Sequence, residues 1–510
     1  MTDLGPCDVA VVGGGPNGLT AAAYLARAGA STVVLEKRFE RGGTFATDDY
    51  STPFQYNLAQ FELPLGRELP PYRDLDLWTQ GVRFLEPEFP FSARAEPGGS
   101  ELVVGRGGRG LGEELEGMFA AASSALTPLL YRSPAGEEAL RSQLSRGGEE
   151  VLGLAELTPG TLAQRVQDPR AGVILRYACV LAGFLEADAP LGLMGAFAVA
   201  RLFSPSIVVG GTKGLANALF RAGAGAGARS LVSSAVERIS SNADGFEMEI
   251  SDGRRLRARS VVSTLDPVST FIELLAGQPG LEEQRRCAGE WAFEQTGPFT
   301  AHYGIKGLRP APAGDGPADA LVRCFGFSEP AEVDAHVRTA VAGELSAAVA
   351  GHLTAVSAHD PLQASPGPYG PLHTLRLQTL APFSLTGDGW DRTRPAYRRR
   401  CWDAVVEHFE DLRDAQLLFS FCDTPEDIVR RFATTRGGST RQGALAPRQT
   451  LDRRPDLDCS SGRTPVPGLY LAGGGVHPGI PGCLGGGYNA ARLVAEDLEL
   501  DRWWPAEAVA

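Results

Sequence analysis

The stretch CDVAVVGGGPNGLTAAAYLARAGASTVVLEKRFERGG, residues 7–43, carries the pattern that decides the fold. An apolar, β-branched run leads into Gly13, Gly15 and Gly18, which form G-x-G-x-x-G ahead of an alanine-rich segment. The first glycine suits a tight strand-to-helix turn, the second a close approach of backbone to a pyrophosphate, and the third close packing of helix on strand. The N-terminus of the helix would offer its N–H groups to the phosphates. The motif predicts a βαβ unit that binds a dinucleotide.

A second strand and an acidic residue complete this unit. The strand is predicted over residues 31–35 and ends on Glu36, at 36 − 18 = 18 positions beyond Gly18. An acid about 20 residues beyond the glycines grips a ribose hydroxyl in such folds. Gly29 is expected to end the intervening helix. With strand, helix, second strand and acid in register, the signal is far more specific than a lone glycine motif.

Length and charge narrow the class of protein. A chain of 510 residues exceeds what one core supports, so two domains are expected. The net charge of −13, with no run of Lys or Arg, argues against nucleic acid or an anionic membrane as partner. There is no basic leader, and the eight cysteines lack metal-ligand spacing. We therefore expect a cytoplasmic protein with reduced thiols and no metal, and the oligomeric state stays open.

The most apolar segment, residues 171–203, is too interrupted to cross a bilayer. Arg176, Glu186, Asp188 and Pro190 break it, and it is predicted to form two packed helices. It lies in a mainly helical region that begins at Leu111. Contact of this region with a membrane surface stays open but is not favoured by the acidic charge.

A second strand–glycine–helix unit occupies the far end of the chain. A strand is predicted over residues 469–472, followed by a glycine turn with His477-Pro478-Gly479 and a helix from about Gly487. Simple nicotinamide dehydrogenases need no such element. A flavoprotein uses one to close over the flavin end of FAD, so the two ends of the chain are expected to meet.

Five blocks together resemble the phytoene-desaturase-like branch of the FAD-dependent oxidoreductases. They are VVGGGPNGLTAAAYLARAG with Glu36 and the following Arg-Gly-Gly, then GGTKGLANAL, RARSVVSTLDPVSTFIELL, TPEDIVRRF with GGS, and LYLAGGGVHPGIPGCLGGGYNAA. The blocks span nearly the whole chain. The first is shared by many FAD and NAD proteins, whereas the last, combined with VVSTLDP, is much more specific.

The resemblance implies an α/β fold with a discontinuous Rossmann-type FAD-binding domain and an inserted mixed-sheet and helical substrate domain. The expected boundaries are 1–110, 205–267 and 433–510 for the FAD-binding domain, 111–204 for a helical insertion and 268–432 for the substrate domain.

The resemblance also implies the residues that hold FAD. These are Gly13, Gly15 and Gly18 at the pyrophosphate, Glu36 at the adenosine ribose, Arg41, Gly42 and Gly43 at the pyrophosphate and ribityl, Val236 at the adenine, and Gly474, Gly475, Ile480 and Pro481 at the ribityl and flavin ring. One departure is notable, because many relatives have arginine directly after the glycine pair and this chain has Thr44.

Three residues from separate segments are candidate catalytic residues. His477 is the one titratable residue of the C-terminal glycine turn and is the first candidate for proton transfer, with hydrogen bonding inside the turn as the alternative. Tyr56 and Arg441 are weaker candidates for contacts with polar groups of the substrate. The aromatic segment after the glycine pair is expected either to line a pocket or to be a surface loop; its candidates are Tyr50, Phe54, Tyr56, Asn57 and Gln60.

The expected chemistry is hydride transfer between flavin N5 and a carbon of the substrate, with loss of a neighbouring proton. The favoured substrate is a long, largely apolar polyene of secondary metabolism, such as a polyene tetramate macrolactam in antibiotic biosynthesis, which is desaturated or cyclised. Desaturation of a carotenoid at a membrane surface is the alternative. A flavin-binding protein without catalysis is the third interpretation. Neither the substrate nor the redox partner of the flavin can be named from sequence.

Overall fold

A computed structural model describes residues 3–48, 53–145, 148–242, 244–308, 320–367, 370–432, 435–446, 449–456 and 458–505. Tyr50, a candidate pocket residue, lies outside these ranges. The described strands form two large sheets and two small ones.

The first large sheet collects strands from distant parts of the chain. The strands are β1 (Asp3–Val12), β2 (Thr32–Leu35), β10 (Arg229–Leu231), β11 (Val236–Asn242), β12 (Gly245–Ile250), β13 (Arg255–Ser263) and β19 (Leu469–Leu471). Their order in the sheet is β10-β2-β1-β13-β12-β11, and β19 also pairs with β13. β10, β2, β1, β13 and β19 are parallel, and β11 and β12 are antiparallel additions. The parallel core is a Rossmann-type sheet, as predicted.

Three helices pack together beside this sheet: α1 (Pro16–Arg27), α9 (Thr212–Gly225) and α15 (Gly485–Asp497). Small residues on α1 allow close packing, and Tyr24 of α1 is fully buried. Its ring stacks on Trp503 at 5.3 Å and meets Tyr488 of α15 edge-on at 5.3 Å. The two ends of the chain therefore share one hydrophobic core.

A helical region runs from α3 to α8. It comprises α3 (Glu113–Leu126), α4 (Glu137–Leu144), α5 (Glu149–Glu156), α6 (Pro159–Ala163), α7 (Pro169–Ala182) and α8 (Gly192–Leu202), and the short α2 (Pro70–Asp74) precedes it. α7 and α8 are the two packed helices predicted for the most apolar segment. In the described part of the chain, no helix combines the length and apolar character needed to cross a membrane.

The second large sheet has the order β18-β14-β17-β16-β15-β7-β8. Its strands are β7 (Phe91–Arg94), β8 (Leu102–Val104), β14 (Thr296–Lys306), β15 (Val322–Phe325), β16 (Gly351–Thr354), β17 (Leu372–Pro382) and β18 (Gln416–Asp423). Four helices accompany it: α11 (Pro330–Val341), α12 (Val356–His359), α13 (Gly389–His408) and α14 (Pro425–Arg431). α10 (Glu282–Gly289) instead packs against residues 268–274 and contributes to the core of the first sheet. The small sheets are formed by β3 (Thr47–Asp48) with β4 (Tyr56–Asn57), and by β5 (Glu62–Leu63) and β6 (Phe84–Leu85) on either side of β9 (Ser206–Val208).

One predicted boundary is wrong. The sequence places residues 91–104 in the FAD-binding domain (1–110), but β7 pairs in parallel with β15, matching Phe91 to Val322. β7 and β8 therefore extend the second sheet. The local sequence of β7 and β8 does not indicate which sheet they join. The sheet is decided by pairing of β7 with β15, which lies over 200 residues later in the chain. The other domain limits stay predictions.

Close packing of α1 on β1 makes Gly18 a test of the fold. A Cβ at Gly18 would collide with the carbonyl oxygen of Gly13 and lie 3.2 Å from its carbon, both backbone atoms that cannot swing aside. We expect Gly18→Ala to lower the free energy of unfolding by about 1–3 kcal/mol, measured by denaturant titration. Gly117→Ala, at an exposed position of α3, is the control: its Cβ meets no atom within 4 Å, and it should be neutral or stabilising. Equal effects of the two substitutions would contradict the packing argument.

Candidate active site

A cleft of about 500 Å³ opens at the carboxyl ends of β1, β2 and β13. This is where open α/β sheets bind their ligands. Of the predicted cofactor residues, the cleft is lined by Gly13, Gly15, Glu36, Gly43, Val236, Gly474, Ile480 and Pro481. The structure therefore brings together residues from both ends and the middle of the chain.

The three motif glycines have different surroundings. Gly13 has φ +101°, and its Cβ would collide with the hydroxyl of Thr264, while Gly18 is closed off by the backbone of Gly13. Gly15 is different, since its backbone (φ −74°, ψ −178°) suits any residue. Its Cβ would meet Gly43 Cα at 3.9 Å, an ordinary contact. Neither backbone conformation nor packing requires glycine here, which points to a group that must approach the backbone from the cleft.

Glu36 lies at the end of β2 and is buried, with its carboxylate held in place by the backbone. Gly14 N–H donates to Oε2 at 2.7 Å, and Arg38 N–H donates to Oε1 at 2.8 Å. Each carboxylate oxygen can still accept a further bond. The geometry suits the predicted contact with ribose hydroxyls.

Four predicted cofactor residues do not line the cleft. Arg41 donates from Nε to Ser230 Oγ at 3.0 Å, and its guanidinium lies 3.9 Å from the centre of the Phe220 ring. Packing leaves no room for a side chain at the other three positions. A Cβ added at Gly42 would lie 3.0 Å from Phe45 O, and one at Gly475 would lie 2.7 Å from Pro267 Cδ. A Cβ at Gly18 would collide with the backbone of Gly13. The structure thus does not place Arg41 at the phosphates. An arginine beside a glycine pair gives no sequence signal for which way its side chain turns.

Arg454 holds the C-terminal glycine loop in place. This arginine is fully buried, and its five N–H donors reach the carbonyls of Gly474, Ala444, Gln449, Arg441 and Gly443 at 2.9–3.3 Å. Burial lowers the pKa of Arg454 to about 10, so the guanidinium stays charged near neutral pH. It ties the loop that lines the cleft to residues 441–449.

A chamber of about 250 Å³ lies between the helical region and the second sheet. Its apolar wall comes from α7, α8 and the neighbouring strands and loops; its members include Leu58, Leu63, Val180, Leu181, Leu185, Leu202, Leu380 and Leu445. Polar side chains also face it, among them Glu62, Glu294, Thr296, Arg376 and His352. The chamber is thus mostly apolar, with a polar region.

The chamber and the cleft share six wall residues: Thr44, Gln60, Thr440, Arg441, Ile480 and Pro481. Predicted substrate residue Arg441 is one of them, and so is Thr44, the departure from the arginine of many relatives. The guanidinium of Arg441 donates to the carbonyl of Leu181, and loss of hydration lowers its pKa. A group bound in the cleft and one bound in the chamber would meet at this junction. Gln60 lines both cavities, and its predicted place in a pocket is thereby confirmed.

His477 lies outside the linings of both cavities. The described residues that line the cleft and the chamber do not include it. Its Nε2 lies 2.9 Å from the carbonyl oxygen of Leu129. Burial lowers the pKa of His477 to about 4, so the ring is neutral and donates this bond. The geometry gives His477 a structural contact, but the bond ties the turn to Leu129 in a distant segment and does not lie inside the turn.

Tyr56 also lies away from both cavities. It packs in a cluster with Phe54 and Phe421, and its ring centre is 5.6 Å from that of His302. Loss of hydration lowers the pKa of His302 well below its ordinary value. Phe54, Tyr56 and Asn57 are therefore buried outside both cavities, whereas Gln60 of the same segment lines both.

Some cleft residues were not identified by sequence reasoning. Thr264 ends the quoted VVST block, and its hydroxyl donates to the carbonyl of Val12 at 2.9 Å. Gln442 donates to the carbonyl of Thr264 at 3.1 Å and accepts from Gly475 N–H at 3.2 Å. Thr264 lies in a block that the sequence analysis recognised, and Gln442 lies three residues beyond the GGS of another. A polar side chain beside a strand or glycine turn does not reveal its long-range partner.

Comparison with known proteins shows what this chain is similar to. The NAD(P)-binding Rossmann-like domain matches residues 11–65. One of the subunits of limonene dehydrogenase from Castellaniella defragrans is 29% identical over all of this chain and 98% of its own length. Carotenoid 3,4-desaturase of Haloarcula japonica is 25% identical over 98% of this chain and all of its own. Phytoene desaturase of Pseudescherichia vulneris is 25% identical over 50% of this chain and 48% of its own.

These relatives are a dehydrogenase and two desaturases, and they support the resemblance to the phytoene-desaturase-like branch that the sequence blocks indicate. This chain is an oxidoreductase, as the sequence blocks predict. A solved structure of a putrescine oxidase variant superposes with a TM-score of 0.61 at 13% identity, covering 98% of this chain and all of that one. At this identity the likeness concerns the fold, and it confirms the mixed α/β architecture of this oxidoreductase.

The neutral state of His477 predicts a pH effect on stability. Between pH 6.5, the ordinary pKa of histidine, and about 4, the unfolded chain binds a proton at His477 that the folded chain does not. The free energy of unfolding therefore falls as pH falls through this interval. We expect His477→Gln to flatten this dependence by up to about 3 kcal/mol, measured by denaturant titration from pH 7.5 to about 4. Parallel curves for the two proteins would show that His477 titrates normally in the folded state.

Proposed function

We propose that this oxidoreductase binds FAD in the cleft and dehydrogenates a largely apolar, unsaturated substrate in the chamber. The observation that carries the proposal is the junction, where Thr44, Gln60, Thr440, Arg441, Ile480 and Pro481 belong to both cavities. Such a junction lets a carbon of the substrate approach the end of a cofactor held along the cleft.

The cleft fits FAD in three respects. Gly15 leaves open the space that a pyrophosphate needs beside the N-terminus of α1. Glu36 has acceptor capacity for a ribose. The loop with Gly474, Ile480 and Pro481 extends the cleft well beyond the nucleotide-binding turn, where a flavin would lie.

FAD held in the cleft would supply a hydride acceptor, so that loss of a hydride from one substrate carbon and of a proton from the neighbouring carbon would leave a new C=C. The residues of this chain supply position and exclusion of water. Leu181, Leu202 and Leu380 present an apolar wall to the substrate. Arg441, tethered to the carbonyl of Leu181, places a positive charge at the junction.

Chamber size bears on the choice of substrate. Pockets for drug-sized ligands span about 300–1,000 Å³, and a chamber of about 250 Å³ favours a compact molecule over a carotenoid. The relative from Castellaniella defragrans is named for limonene, a small hydrocarbon. A substrate of that size class is therefore proposed ahead of the long polyene expected from the sequence, and the polyene macrolactam stays a prediction.

Substitution of Gly15 tests the cofactor. Wild-type protein should purify yellow and release FAD on denaturation, identified by mass spectrometry. We expect Gly15→Val to lose at least about nine-tenths of the bound FAD, because its side chain fills the pyrophosphate space. The flavin-free forms of both proteins should unfold at similar denaturant concentrations. A fully loaded variant, or release of NAD or FMN in place of FAD, would refute the assignment.

Anaerobic mixing tests the reaction. Small terpenoids should bleach the visible flavin absorbance of the wild-type protein, and phytoene should not. Bleaching by phytoene at an equal or greater rate would contradict the preference for a compact substrate and favour the carotenoid alternative. A bound flavin that dithionite reduces but that neither substrate class bleaches would count against dehydrogenation of such compounds.

A further inference from the structure

The chamber wall carries buried acceptors that the protein leaves without donors. Among the described residues, neither carboxylate oxygen of Glu294 has a hydrogen-bond partner, and the same holds for Thr296 Oγ1 and Glu62 Oε2. All three residues line the chamber. The side chain of Glu294 is only 7% exposed. A buried acceptor without a donor costs free energy, most of all when it is charged, so a ligand that supplies the donor gains strongly.

The nearest cations cannot supply that donor. Arg441 Nη1 lies 3.8 Å from Glu294 Oε1, beyond hydrogen-bond distance, while its Nη2 is held by the carbonyl of Leu181. Arg454 also interacts electrostatically with Glu294, but all its N–H donors go to backbone carbonyls. Nearby arginines thus balance the negative charge of Glu294, but its two carboxylate oxygens accept no hydrogen bond.

The charges around Glu294 favour a neutral hydrogen-bond donor on the ligand over a positively charged one. Arg441 and Arg454 place two positive charges near the Glu294 carboxylate, and Arg376 interacts with Glu62 on the chamber wall. An ammonium group would enter an environment whose negative charges are already balanced. A neutral hydroxyl supplies the missing donor without that repulsion.

We propose that Glu294 binds a hydroxyl group of the substrate, so that the enzyme acts on compact, otherwise apolar alcohols. Because Arg441 lies in contact range of Glu294 and belongs to both cavities, the hydroxyl is held at the cofactor end of the chamber. The carbons next to the hydroxyl then face the junction. This inference rests on the proposed function, since it takes the chamber as the substrate site.

Binding of three matched probes tests the inference with the wild-type holoenzyme. Methylcyclohexane, cyclohexylmethanol and cyclohexylmethylamine share one carbon skeleton and differ in the polar group. Isothermal titration should show cyclohexylmethanol binding at least about tenfold more tightly than the other two, the advantage of a hydrogen bond to a charged acceptor. Equal affinities, no detectable binding of the alcohol at millimolar concentration, or preference for the amine would each overturn the proposal.

A pair of variants locates the effect. Glu294→Leu removes the acceptor, and we expect the advantage of the alcohol over the hydrocarbon to fall to within about threefold. Glu290→Leu is the control, because Glu290 lies four residues earlier with its side chain 70% exposed. It should keep the wild-type preference. A preference that survives Glu294→Leu in folded protein refutes the role of Glu294, and if that variant does not fold, the wild-type ranking of the probes decides.

Failure of this inference is distinguishable from failure of the proposed function. The content of bound FAD in the wild-type protein reports on the proposed function and does not depend on Glu294. Protein that carries FAD but does not prefer the alcohol keeps the proposed cofactor and loses the hydroxyl site. Protein without FAD loses the proposed function itself.

Discussion

The arrangement of the site depends on one buried guanidinium. Arg454 satisfies its five N–H donors with backbone carbonyls on both sides of it, Gly474 from the C-terminal loop and four from residues 441–449. Charge-assisted bonds of this kind are strong, and a buried charge is tolerated only when all its donors are used. Because it joins these segments, Arg454 fixes the backbone of Arg441, the residue that faces both cavities. The shape of the junction thus depends on a side chain that lines neither cavity.

The two cavities arise from different structural requirements. The cleft needs parallel strands whose carboxyl ends coincide, and β1, β2 and β13 supply these around Gly13 and Glu36. The chamber needs apolar walls that do not collapse, and it is bounded on one side by helices α7 and α8 and on the other by the second sheet. Its open acceptors at Glu62 and Glu294 are polar groups that packing alone would not retain. A site for a mostly apolar molecule with one polar group is consistent with these features.

Sequence reasoning succeeded where a residue type follows from local geometry. Gly13 and Gly18 were recognisable because turn and close packing leave no room for Cβ, and Glu36 because a strand end fixes its distance from them. It failed where direction depends on distant partners. Arg41 turns to Ser230 on another strand, and His477 turns to Leu129 on another helix end. Each contact closes a loop of more than 180 residues, which no local pattern encodes.

The sequence by itself determined the Rossmann-type unit, the meeting of the two chain ends and the class of oxidoreductase. These follow from short-range rules, since hydrophobic period, glycine spacing and strand-end acids act within one supersecondary unit. Only the tertiary structure decided that β7 joins the second sheet, that Arg441 stands between cleft and chamber, and that Glu294 is buried without a donor. Those outcomes depend on which surfaces pack together, and burial, charge balance and unsatisfied hydrogen bonds exist only once they have packed.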